Sequence, residues 1–284
     1  MSEYDDDRAA RNRWQRFWAR GGFWRSLLLA AAYYALYQVC SLPLAPLLER
    51  TTDPALQIVV GTALPIVIGS LILLAFGASL RQNRALFGRQ PVPGRGWMWI
   101  AVAAVLAFNV LRFAAIDYDA AGAATVLAWL FTGLWIGFAE EVLTRGWVVR
   151  LMRQAGHREI VVALASAGLF AAMHAGNLLH GQSVLTTGVQ LGYTFAFGLC
   201  MYLALRVTGH IIWPILLHAT TDPSIFLMTE YPAAGRLPEI AGLGNIVVIV
   251  VGLALLCFIR GRVPADPLTP PSAVSGPTPN RLGA

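Results

Sequence analysis

The chain has 284 residues, 57% of them hydrophobic and only 13% charged, with 21 basic against 15 acidic side chains and a net charge of +6. A soluble globular protein carries about 25% charged residues, so this chain has too little polar surface to cover a water-soluble core. The composition selects an all-α, polytopic membrane protein, and it excludes a nucleic-acid partner once the positions of the arginines are considered.

In chain order, a basic arm comes first. RNRWQRFWARGGFW, residues 11–24, mixes Arg with Trp and Phe, as an interfacial helix lying on anionic headgroups does. Apolar runs of spanning length follow at 26–48, 56–78, 97–116, 122–140 and beyond, 160–176, 185–205, 211–229 and 243–259. A span needs about 20 apolar residues, which gives eight helices. The first run lacks an A-x-A exit, and Tyr37, Gln38 and Val39 before Cys40 make a poor lipoprotein site, so it reads as a retained span. Cys40, Cys200 and Cys257 lie scattered in apolar runs without metal-ligand spacing and read as small hydrophobes. VPADPLTPPSAVSGPTPN in the tail is Pro- and Ser-rich and reads as disordered. The expected organisation is an arm (1–25), three spans (26–121), a polar-bearing core of helices four to seven (122–229), an eighth span (230–261) and the tail (262–284).

The arginines fix a topology. Every basic residue is Arg, and short cytoplasmic loops collect positive charge. The arm carries Arg8, Arg11, Arg13, Arg16, Arg20 and Arg25; the second-to-third loop has Arg81, Arg84, Arg89 and Arg95. The fourth-to-fifth connection has Arg145, Arg150, Arg153 and Arg158, the sixth-to-seventh Arg206, and the tail Arg260, Arg262 and Arg281. Only Arg50, Arg112 and Arg236 fall on the other side, beside acidic residues. Both termini are therefore expected in the cytoplasm, with the chain multi-pass in the plasma membrane and the lipid bilayer as its first partner.

Charged side chains at mid-bilayer cost about 2.5–3.5 kcal/mol each on insertion scales, so polar residues inside spans need a reason. The exceptions are Glu140, Glu141, Arg145, His174, His218 and Asp222. At about 1.5 Å per residue, Glu140 lies roughly 20 Å from the cytoplasmic end of the fourth helix. His174 lies roughly 22 Å into the fifth by the same rise, and His218 and Asp222 roughly 12–18 Å into the seventh. All four share one layer. Glu141 and Arg145 are spaced i,i+4 and can neutralise one another, while Glu140, turned about 100° away, can face another neighbour. That fits a general base held by a supporting pair. His218 and Asp222, also i,i+4, join His174 as two imidazoles and a carboxylate, a set that can hold a water or a metal ion. Phe170, one turn before His174, can wall the site. Pro223 frees the carbonyl of Ala219, which is tolerable beside a cavity.

EExxxR (Glu140, Glu141, Arg145), FxxxH (Phe170, His174) and HxxxD (His218, Asp222), on three helices in this order, resemble the CPBP intramembrane proteases, a family that includes CAAX prenyl endopeptidases and bacteriocin-processing or immunity proteins of the ABI-like kind. The resemblance covers about residues 125–229. It implies an endopeptidase that hydrolyses a peptide bond of a membrane-associated peptide or protein. Glu140 would activate the attacking water, His174 would orient it, and His218 with Asp222 would complete the site, with Glu141 and Arg145 as support. Many members have Asn at the position of Asp222, and an ionised Asp cannot donate a hydrogen bond to an oxyanion. Asp222 would then be protonated, orient His218, or bind a cation. Two mechanisms stay open, a metalloprotease with zinc on His174, His218 and Asp222, or glutamate-activated water with no metal. The alternative is a catalytically silent scaffold or immunity-type partner-binding protein. A transporter fits less well, since no inverted repeat matches the polar cluster. Gln190 and Tyr193 read as a polar contact between helices.

Overall fold

The computed structural model describes residues 12–264. Residues 1–11 of the arm and 265–284 of the tail, including the segment expected to be disordered, lie outside the described residues. Among the described residues the chain is all-helical, with two isolated β-bridges in place of any strand. The arm contributes α1 (Arg13–Ala19), started by a capping box in which the Asn12 side chain accepts from the Gln15 backbone and Gln15 reaches back. Trp18 of α1 is buried, and the Trp14 indole donates to Ser79 Oγ at 2.9 Å, which docks the arm across the end of the bundle.

Among the described residues seven helices are long and apolar enough to cross a membrane: α2 (Phe23–Glu49), α3 (Pro54–Ser79), α4 (Gly96–Ala114), α5 (Ala123–Gln154), α6 (Glu159–His180), α7 (Val184–Thr208) and α9 (Leu237–Leu256). The expected seventh span is also helical, α8 (Ile212–Glu230). Its 19 residues reach about 28 Å, close to the thickness of a hydrocarbon core. Its composition is too polar for the seven because it presents two faces. Ile212, Trp213, Leu216 and Phe226 are exposed, whereas His218, Thr221 and Ser224 are buried. The apolar face suits lipid and the polar face turns into the bundle.

Backbone contacts pair the helix ends as the alternating topology requires. At the arginine-rich end, Arg158 bridges to Arg262 and Glu159 N donates to Gly261 O at 2.9 Å. At the opposite end, Ile116 bridges to Pro232 and Asp117 N donates to Tyr231 O at 2.9 Å. The arginine-rich end is sealed by a buried ion cluster. Glu159 takes a paired contact from Arg153 (2.8 and 2.7 Å), a third from Arg206 at 3.1 Å, and a short hydrogen bond from the Tyr202 hydroxyl.

Arg112 stands at the arginine-poor end, as its sequence position implies, but it is 2% exposed and inside the bundle. Its guanidinium donates to Asn245 Oδ1 at 2.9 Å and to Asn109 Oδ1 at 3.3 Å. Asn109 in turn donates to Thr221 Oγ1 at 2.8 Å and Thr220 Oγ1 at 3.0 Å on α8. This polar strut joins α4, α8 and α9, and it satisfies groups that lipid could not.

Candidate active site

The expected helix through Glu140 and Glu141 is continuous for 32 residues, but it changes winding immediately after them. Val142–Val148 forms a π-helical turn in which every residue is buried. Such turns interrupt the regular i→i+4 ladder, and local side chains take up the slack. Thr144 Oγ1 donates to Glu140 O at 2.5 Å, and Ser166 Oγ of α6 donates to Thr144 O at 3.0 Å. Opposite, α5 and α8 come together through Gly133 and Gly137. A Cβ at Gly133 would run into the Pro223 ring and the Ala219 carbonyl, and one at Gly137 into the backbone of Ile215 and Ala219. The carbonyl that Pro223 frees thus lies against a glycine of the neighbouring helix.

This close approach brings both glutamates to a single imidazole. Glu141 Oε1 is 2.8 Å from His218 Nδ1 and 3.1 Å from Arg145 Nη1, with all three side chains buried. Glu140 Oε2 is 3.5 Å from His218 Nε2, and Asp222 Oδ2 is 3.8 Å from the same nitrogen. The sequence expectation had the two glutamates facing different neighbours; they face one histidine on its two sides. The Glu141 carboxylate is paired with Arg145 and accepts, so Nδ1 carries the proton and Nε2 is the atom left toward Glu140 and Asp222. Glu141 therefore orients His218 as well as flanking Glu140.

His174 is fixed in the same manner. Its Nδ1 lies 3.0 Å from Phe170 O, and since a carbonyl only accepts, Nδ1–H donates and Nε2 is free for other work. Phe170 does not wall the open space as expected. It is buried beneath the site, edge-on to His174 at 5.0 Å and to His218 at 5.8 Å between ring centroids. Its ring also carries the Arg145 guanidinium at 4.7 Å. That cation–π contact gives the buried guanidinium a partner on the side where Nε and Nη2 find no acceptor.

Glu140, His174 and Asp222 line one cavity of about 410 Å³. The Glu140 and Asp222 side chains are 21% and 24% exposed, against 0% for Glu141. The remaining wall includes Tyr33, Tyr34 and Tyr37 of α2, which sequence reasoning missed; three tyrosines within one turn of an otherwise apolar span were the available signal. Gly133 and Gly137 were also missed, although their GxxxG spacing marks close helix packing. Gln190 makes the expected interhelical contact, accepting from Asn177 Nδ2 at 2.8 Å, but both residues also line the cavity. Tyr193 stacks on Phe197 within the same helix at 5.9 Å.

A zinc site needs three or four donors about 2.0–2.2 Å from the ion. Among the described residues no group of three His, Cys, Asp or Glu side chains is arranged to hold a metal ion. Nδ1 of His218 is engaged by Glu141 and Nδ1 of His174 by the Phe170 carbonyl, so Nε2 is the donor atom each ring would have for such an ion.

Residues 122–223 match one family model, that of the type II CAAX prenyl endopeptidase Rce1-like proteins. The matched stretch contains the EExxxR, FxxxH and HxxxD residues and stops one residue after Asp222. No curated protein and no solved structure matches the chain.

Proposed function

We propose that this chain, a peptidase carrying a type II CAAX prenyl endopeptidase Rce1-like domain over residues 122–223, hydrolyses a peptide bond inside the plasma membrane with a water activated by Glu140. The observation that carries this reading is the bridging imidazole. His218 is tied through Nδ1 to the Glu141–Arg145 pair and offers Nε2 to Glu140 and Asp222 at the cavity wall. A carboxylate whose neighbours are already neutralised, and which faces a cavity, suits a general base.

In this mechanism a water sits between Glu140 and His174 Nε2. Glu140 takes its proton as the water oxygen attacks the substrate carbonyl carbon. The carbonyl oxygen develops negative charge, which Nε2–H of a doubly protonated His218 stabilises. Glu140 then delivers the proton to the departing amine as the C–N bond breaks. Asp222 orients His218 by accepting from Nε2–H of the doubly protonated ring, the role an acceptor-only carboxylate can fill. No step runs through a metal ion. The substrate is a membrane-associated peptide or protein segment.

The test uses purified protein in detergent, a fluorogenic peptide library, and wild type beside Glu140→Ala. Cleavage by the wild type that disappears in a folded Glu140→Ala protein is the expected result. Equal cleavage by both proteins would remove the assigned base, and cleavage by neither would return the scaffold reading.

A further inference from the structure

The layer holding Glu140, His218 and Asp222 divides the bundle into unlike halves. Toward the arginine-rich end the site is walled off among the described residues: a second cavity of about 580 Å³ lies in that half, between Trp99, Trp213 and Leu217, but Glu140, His174, His218 and Asp222 do not line it. Every residue of Val142–Val148 is buried, as is every residue of 196–206. Phe197 closes over the His218 ring at 4.8 Å between centroids. Behind them lies the Glu159 cluster with Arg153 and Arg206.

The cavity extends the other way. Trp129 lines it eleven residues before Glu140 on α5, about 16 Å nearer the arginine-poor end. Asn177 lies three residues beyond His174, and Phe226 four beyond Asp222, both in that same direction. Gln190 joins them from the first turns of α7. The Asn177–Gln190 pair spends one amide hydrogen and one carbonyl on itself. Its second carbonyl and second amino group suit the main chain of an extended peptide. Beside this amide rim the α6–α7 connection turns apolar side chains outward: Leu179, Val184 and Leu185 are 80%, 80% and 79% exposed. A connection of that kind is at home in the interfacial zone of a bilayer and not in bulk water.

We propose that the substrate reaches Glu140 from the arginine-poor face of the membrane, through the mouth rimmed by Asn177 and Gln190. Arginine-rich loops are retained in the cytoplasm, so the substrate is a peptide segment presented from the non-cytoplasmic leaflet, not a chain terminus arriving from the cytoplasm. The nature of the cargo rests on the peptidase reading above; the access route does not.

Thiol labelling separates the two. Met173→Cys places a cysteine on the cavity wall next to His174, in a chain with Cys40→Ser and Cys257→Ser and with the buried Cys200 left in place. A membrane-impermeant maleimide is applied to spheroplasts, where only the non-cytoplasmic face is open, and to inverted membrane vesicles, where only the cytoplasmic face is. Arg95→Cys, in the α3–α4 loop, reports the orientation. Expected is labelling of Met173→Cys in spheroplasts and its loss in inverted vesicles, with Arg95→Cys showing the reverse. Labelling of Met173→Cys in inverted vesicles alone, or in neither preparation, overturns the route. A membrane-impermeant quenched peptide is offered to the same preparations, and cleavage is expected in spheroplasts only. One-sided labelling without cleavage, even in detergent, sinks the peptidase reading and leaves the route standing; cleavage confined to inverted vesicles sinks the route.

Discussion

Glu159 and Glu140 are both carboxylates inside an apolar bundle, and they are held in opposite ways. Glu159 is saturated, with two arginines and a tyrosine hydroxyl on its oxygens and none of its side chain exposed. Glu140 has a histidine nitrogen at 3.5 Å, no closer ion partner, and about a fifth of its side chain open to a cavity. A saturated carboxylate has no lone pair to offer a substrate, and its removal strands two cations. An unsaturated one contributes little to the fold and keeps its basicity available. The difference teaches which buried charge is architecture and which is poised for chemistry, and both claims can be tested by paired substitutions.

The largest effect is expected at Glu140. Glu140→Gln keeps the size and removes the base, so the turnover of the best library peptide should fall by about 10²–10⁴-fold, the usual worth of a general base. Its thermal midpoint in detergent should stay close to that of wild type. If the thermal midpoint falls steeply as well, Glu140 is structural and the contrast with Glu159 collapses.

Glu159→Gln should invert that pattern. Removing one partner of a buried ion cluster leaves the others uncompensated and costs about 3–5 kcal/mol. A marked drop in thermal midpoint is expected, with turnover per folded molecule unchanged. A loss of turnover in protein that remains folded would mean that the arginine-rich end is coupled to the site.

The sequence carried this contrast unevenly. EExxxR, FxxxH and HxxxD were legible because helices are rigid rulers: a fixed rise per residue puts Glu140, His174, His218 and Asp222 in one layer from spacing alone. The Glu141–Arg145 pair followed from i,i+4 geometry, and it stands at 3.1 Å. Rotation about the helix axes was not legible. That both glutamates share His218 depends on the π-helical turn at Val142–Val148, which has no periodicity to read, and on the close contact at Gly133 and Gly137, whose GxxxG spacing marks tight packing without naming the partner helix. The burial of Arg112 was hidden for a related reason: its partner Asn245 is distant in sequence, while Asn109 lies one turn back on the same helix. The tyrosine wall of α2 was hidden by lying outside the three motifs.

A smaller effect is expected where packing alone aims the site. Gly137→Val adds a side chain where the α8 backbone already lies, and overpacking of this kind costs about 1–3 kcal/mol. The strain should separate α5 from α8 and lengthen the Glu140–His218 contact. Turnover should fall on the order of tenfold, less than for loss of the base itself. Gly168, which has open space beside it, supplies the control: Gly168→Ala should leave turnover as it was. Equal losses at the two glycines would show that helix packing in general, and not the aim of Glu140, limits the reaction.

The smallest effect is expected from metal removal. His218 is the residue on which a metal mechanism would depend most, because it stands between Glu140 and Asp222. Its Nε2 remains as a donor, but among the described residues no group of three His, Cys, Asp or Glu side chains is arranged to hold an ion. Structural and catalytic zinc sites use at least three protein donors, so incubation with a strong chelator should change turnover by less than about twofold. Re-addition of zinc should not raise it. A chelator-sensitive rate restored by zinc would require Asp222 and His174 to move onto the ion in the substrate complex. The orienting role of Asp222 would then give way to a ligand role, and Asp222→Asn, which preserves shape and removes the charge, would distinguish the two by abolishing metal binding while the Glu141–His218 contact stays intact.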